Sequence, residues 1–106
     1  MTPESKSKPL DVRLEIVNKK DWKSAKSLLV KVNGQFRNSG WRVKEHSYQV
    51  KGDIIEMDIK AKHLGGLSAM VLTPFEVAEK IQLVDTKINY EIRVFIDGDE
   101  YATDHL

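Results

Sequence analysis

The chain has 106 residues, 31% of them charged, with no cysteine and a formal net charge of +1. That length suits one domain, which buries roughly two-thirds of its unfolded surface on folding, and the absence of cysteine excludes disulfides, thiolate metal sites and cysteine nucleophiles. No apolar run of signal-peptide length opens "MTPESKSKPL", and nowhere do about eighteen apolar residues follow one another, so a cytoplasmic protein without membrane contact is expected.

The charge is unevenly distributed. Met1 to Lys62 holds fourteen Lys and Arg against eight Asp and Glu, whereas His63 to Leu106 holds three against eight. Such a division suits a nucleic-acid surface or head-to-tail docking of subunits, unless the fold interleaves the two halves.

Residues 1–9 carry two prolines, serines and lysines without periodicity and read as a mobile N-terminal arm. A single domain is expected over 10–97. It starts with "LDVRLEIV", where Leu10, Val12, Leu14 and Ile16 alternate with charged residues as in a strand with one buried face. Asp21 then stands as an N-cap ahead of Trp22, Ala25, Leu29, Val32 and Phe36, whose 3-4-3-4 spacing predicts an amphipathic helix stopping at Gly40.

"WRVKEHSYQV" and "DIIEMDIKA" read as two strands of a hairpin turning at Lys51-Gly52. Putting Trp41 and Val43 beside the inward Ile55, Met57, Ile59 and Ala61 sets His46 near Glu56 and Lys44 near Asp58. The same register turns Glu45 inward, which calls for a bulge or an early end to the buried part of the strand. Thr73, Pro74 and Glu76 form a capping box with proline at the first helical position, predicting a second helix through Val77, Ala78 and Ile81. "KINYEIRVFI" alternates as a last strand, and Asp97-Gly98 turns the chain into a short acidic tail, 98–106, with a possible hairpin return at Glu100 to Ala102. The expected fold is therefore α+β, with the order β-α-β-β-α-β of ferredoxin-like domains: a four-stranded antiparallel sheet carrying two helices on one face.

That topology carries no function by itself. Base stacking on an open sheet face is disfavoured, because Asp11, Arg13, Glu15, Glu56, Asp58 and Lys60 would fill that face with charge and no aromatic ring. On the first helix, Lys19, Lys23, Lys26 and Arg37 fall on one flank, and Arg42 and Lys44 extend the basic surface along the next strand. These six residues are the candidate polyanion-binding set, although a basic flank commonly serves only to cover core edges with aliphatic stems.

His46, His63 and His105 match no metal or hydrolase motif. A cluster of His46 with Glu56 and Asp58 reads first as a salt-bridged sheet surface. No catalytic residue, metal or cofactor is expected. The "HLGG" pair fits no phosphate-loop spacing. Leu64, Leu67 and Met70, with Val71 and Leu72, make the connection before Thr73 too apolar for a solvated loop, and mark it as an interaction loop whose side chains pack on the helix layer or against a second copy. Two readings follow. One is a non-catalytic binding or regulatory domain meeting nucleic acid or an acidic protein through its basic first helix. The other is a homo-oligomeric interaction or small-ligand module, with catalysis not excluded, covering the 64–72 loop and the open sheet face.

Overall fold

From Leu28 to Phe36 every second side chain is buried, with Leu28, Val30 and Val32 fully enclosed and Phe36 nearly so. Lys31, Asn33 and Gln35 face outward between them. Period two, not period 3.6, governs this stretch. A computed structural model describes residues 6–66, 69–83 and 85–106, and its elements are β1 (Leu10–Ile16), α1 (Trp22–Ala25), β2 (Ser27–Phe36), β3 (Trp41–Lys51), β4 (Ile54–His63), β5 (Thr73–Gln82), β6 (Glu91–Ile96) and β7 (Asp99–His105). They form two sheets, ordered β1-β2-β5 and β3-β4-β6-β7. Neighbouring strands are antiparallel except β4 and β6, which run parallel because the chain between them crosses to the other sheet as β5. The protein is a β-sandwich.

The expected ferredoxin-like α+β fold is therefore incorrect, and both helix assignments fail for physical reasons. The stripe from Trp22 to Phe36 also contains the alternation Leu28-Val30-Val32-Gly34-Phe36, rich in β-branched residues that pack well on a pleated surface. Only Trp22–Ala25 makes a helical turn. Asp21 makes no capping bond to it, and Lys26 ends it in the left-handed region at φ 54°. At 73–82 the capping-box spacing coincides with a strand: Val77 and Ile81 are buried, and the Thr73 hydroxyl donates to the Val71 carbonyl at 3.1 Å instead of capping a helix.

The position of Pro74 follows from ladder geometry. Leu83 N–H donates to the Lys26 carbonyl, extending the β2–β5 ladder, while Val17 N–H donates to Leu29 on the other side of β2. Because bonding direction alternates along a strand, Phe75, Val77, Glu79 and Ile81 bond toward β2, and Pro74, Glu76, Ala78, Lys80 and Gln82 turn their backbone groups away from it. Pro74 thus costs the ladder no hydrogen bond, as suits an edge strand.

The β3–β4 hairpin turns at Gly52-Asp53, with Gly52 at φ 61°. Lys51 pairs with Ile54 and Tyr48 with Met57, so the expected pairing of His46 with Glu56 and of Lys44 with Asp58 does not form. A bulge at Lys44 then resets the register to Val43 opposite Ala61 and Trp41 opposite His63. One extra residue lets Tyr48 and Trp41 both face the core, and leaves Glu45 exposed, 3.5 Å from Lys60. The β6–β7 hairpin forms at the expected Asp97-Gly98, both residues at positive φ, the requirement of a tight two-residue turn. The tail from Asp99 to His105 is a full strand.

Ile55, Met57 and Ile59 of β4 lie beside Ile92, Val94 and Ile96 of β6, and all six are buried against β2 and β5. Full burial contributes roughly 1.5–3 kcal/mol for each such side chain. Trp22 and Tyr90 close one end of the core edge to face, ring centroids 5.9 Å apart. Of the arm assigned to 1–9, residues 1–5 lie outside the described residues. Ser7 is buried, and its N–H and hydroxyl both donate to the Asp97 carboxylate, at 2.9 and 2.7 Å. Asp97 also accepts from the Ala61 N–H at 2.9 Å.

Candidate interaction surface

At the other end of the sandwich, aromatic rings make a firm base. Phe36 stacks on Phe75 with centroids 4.5 Å apart, and Trp41 packs beside Phe36 while taking the His63 ring against it at 5.2 Å and 82°. Gly40 is required here, because a Cβ at that position would fall 2.4 Å from His63 Nε2. The 64–72 loop rises from this base and is tied to the 38–40 turn. Leu64 N–H donates to the Gly40 carbonyl, and Ser39 and Ala69 exchange two bonds, Ser39 N–H to Ala69 O at 3.0 Å and Ala69 N–H to Ser39 Oγ at 2.9 Å.

Gly65 and Gly66 turn the chain at φ 81° and 72°, and Gly65 N–H donates to His63 Nδ1. With its backbone held in this way, the loop exposes its apolar side chains: Met70 is 88% exposed, Leu64 63%, and Val71 and Leu72 more than half. Leu67 lies outside the described residues.

The six polyanion candidates do not form one surface. Lys19, Lys23 and Lys26 surround α1, whereas Arg37, Arg42 and Lys44 lie past the far end of β2. Ten residues of extended strand separate the two groups, roughly 33 Å. Within the first group Lys19 lies 3.7 Å from Asp104, and Lys23 sits over the Trp22 ring. In the second, Arg37 donates to the Lys8 carbonyl and Arg42 to the carbonyls of Ser39 and Trp41, each at 2.8 Å. Arg42, with Lys62 opposite it on β4, therefore lies beside the base of the apolar loop, whereas Arg37 is turned toward Lys8 and Tyr101.

The His46 cluster also separates. His46 reaches across the edge of the sandwich to Glu79 on β5, Glu56 pairs with Lys51 at 2.9 Å, and Asp58 lies opposite Ser47. Asp11 and Glu15 belong to the other sheet. No group of three or more His, Asp or Glu among the described residues could hold a metal ion. The depressions in the surface are open ones. One of about 560 Å³ lies on the outer face of the first sheet between Asp11, Arg13, Asn33, Gln35 and Glu76, and one of about 400 Å³ is bordered by Lys6, Lys44, Lys60 and Asp97. Tyr90 and Tyr101 are held above the usual tyrosine pKa, chiefly by burial and next by the carboxylates of Asp85 and Asp99 respectively.

The free edge of β5 was hidden in the sequence by the capping-box pattern at its start. Its signal was the alternation of Phe75, Val77, Glu79 and Ile81. Among the described residues no helix is long and apolar enough to cross a membrane. No family model, curated protein or solved structure matches the chain.

Proposed function

We propose that this β-sandwich is a non-catalytic interaction domain of the cytoplasm, whose 64–72 loop inserts into an apolar, acid-rimmed site on a partner protein. The observation that carries this reading is the exposure of Leu64, Met70, Val71 and Leu72 together on a loop whose backbone is anchored to the 38–40 turn. Contiguous exposed apolar surface marks contact sites, and an anchored loop loses less entropy on binding than a free one. Arg42 and Lys62 beside its base favour acidic groups at the rim and would speed encounter more than they tighten the complex. A nucleic acid is the poorer fit, because the basic residues are divided between two ends and the loop places aliphatic side chains where phosphate or bases would sit.

The test is proximity cross-linking in cells with the parent and a Leu64→Asp/Met70→Asp variant, alongside retention on immobilised DNA and RNA at low salt. Proteins cross-linked by the parent and lost with the variant, at unchanged melting temperature, support the reading. Identical cross-linked sets, or salt-sensitive nucleic-acid retention by both proteins, contradict it.

A further inference from the structure

We propose that the free edge of β5 is a dimer interface, pairing antiparallel with β5 of a second copy about a two-fold axis through Ala78. The sandwich has four edge strands: β1 and β5 in one sheet, β3 and β7 in the other. The ladders of β1, β3 and β7 each contain a register shift, at Leu10/Arg13, Val43/Glu45 and Val94/Phe95. Such irregularities are among the devices that keep an exposed edge from recruiting another strand. β5 has none across its ten consecutive pairs with β2.

The groups needed for pairing already face outward. Leu83 bonding to Lys26 fixes the alternation, so the N–H and C=O groups of Glu76, Ala78, Lys80 and Gln82 point away from β2. All four residues are exposed. Pro74, which has no N–H to offer, bounds the segment at its start.

The side chains identify the occupant. A two-fold axis through Ala78 sets Ala78 against itself, Glu76 against Lys80 of the second copy, and Lys80 against its Glu76, so each cross-strand charge pair is attractive. This is the self-complementarity an isologous interface requires. Lys80 makes no ion pair among the described residues, and Glu76 has only Lys31 at 3.9 Å. Glu79, on the inward face, is already held by His46, so its charge is not presented to the second copy. The result is a continuous sheet with three strands from each copy. The interface involves neither the 64–72 loop nor Arg42 and Lys62 beside it, and is independent of the function proposed above.

Sedimentation equilibrium of the full chain between about 1 and 500 µM tests it, since association depends on concentration. The parent should be dimeric within that range. Lys80→Glu, which sets like charges opposite each other twice, should raise the dimer dissociation constant about tenfold or more. The exchange Glu76→Lys/Lys80→Glu should restore it. Ala78→Pro should give a folded monomer, because the N–H it removes faces away from β2. A monomeric parent across the range overturns the proposal. So does a dimer that survives both Lys80→Glu and Ala78→Pro, or one that is lost only in the Leu64→Asp/Met70→Asp variant.

Discussion

Replacing Gly40 by alanine probes the base on which the interaction loop stands. Gly40 is not among the glycines at positive φ, and in open space such a replacement would stabilise by about 0.4–1 kcal/mol through the unfolded chain. Here the new Cβ meets the whole His63 ring, at 2.4 Å from Nε2, 2.8 Å from Cε1 and 3.0 Å from Cδ2. The ring cannot retreat without cost. It stands edge-on to Trp41 and accepts the Gly65 N–H at 3.0 Å, contacts worth about 0.5–1.5 kcal/mol for the ring pair and about 1 kcal/mol for the hydrogen bond.

The clash therefore outweighs the entropic gain, and a net loss of about 1–2 kcal/mol is expected. For a chain of this size that lowers the melting temperature by about 5–10 °C. Thermal melts of Gly40→Ala, His63→Ala and the double variant form the test. With the imidazole removed, Gly40→Ala should become neutral or slightly stabilising, a strong non-additivity. A single variant that melts at or above the parent, or effects that simply add, would show that the His63 ring yields freely to the added Cβ.

Asp97→Ala should destabilise by about 2–4 kcal/mol in urea unfolding, because the carboxylate accepts from Ser7 N–H, Ser7 Oγ and Ala61 N–H and alanine is strained at the φ of 52°. The Ala61 amide should then exchange faster with solvent. Met57→Ala should cost about 2–5 kcal/mol, since its fully buried side chain leaves a cavity between β4 and the opposite sheet. Burial, with the Asp85 carboxylate next, holds the Tyr90 pKa above its ordinary 10.0, so the folded state keeps the proton longer than the unfolded chain does. Stability from this source is fully present below pH 10 and is lost as pH rises through the folded pKa. Equilibrium unfolding at a series of alkaline pH values should show that decline, with part of it removed in Tyr90→Phe and the remainder due to Tyr101, which is shifted in the same direction.

The elements that were legible in the sequence are those whose pattern admits one period. β1, β4, β6 and the Asp97-Gly98 turn alternate or turn without ambiguity, and the inward pairing of Trp41 with the β4 residues called for either a bulge near Glu45 or an early end to the buried strand, of which the structure has the bulge. Segments 21–40 and 73–82 carry two periods at once. Val32 and Phe36, spaced by four, serve a helical stripe as well as a strand face, and Thr73-Pro74-Phe75-Glu76 satisfies a capping box while also opening an edge strand. Tertiary burial decided both, because each inward row faces the apolar rows of β4 and β6. The basic set dissolved for the same reason: Lys26 and Arg37 share a helical face only if the chain rises about 1.5 Å per residue, and β2 rises more than twice as fast. The composition of 64–72 pointed to apolar contact, with its side chains packed on the core or on a second copy; within one chain Leu64, Met70, Val71 and Leu72 are instead exposed, because the backbone is held by the 38–40 turn.

Everything proposed for β5, and the bed under the loop, requires 73–82 to be a strand paired with β2. Cross-strand proton contacts by nuclear magnetic resonance address that most directly. Bonding through Phe75, Val77, Glu79 and Ile81 leaves Leu29 with Lys80, Lys31 with Ala78 and Asn33 with Glu76 as the closely spaced pairs between bonds. Hα–Hα contacts are expected for these three pairs. Successive amide–amide contacts and i to i+3 contacts through 74–83, without the cross-strand set, would contradict the pairing.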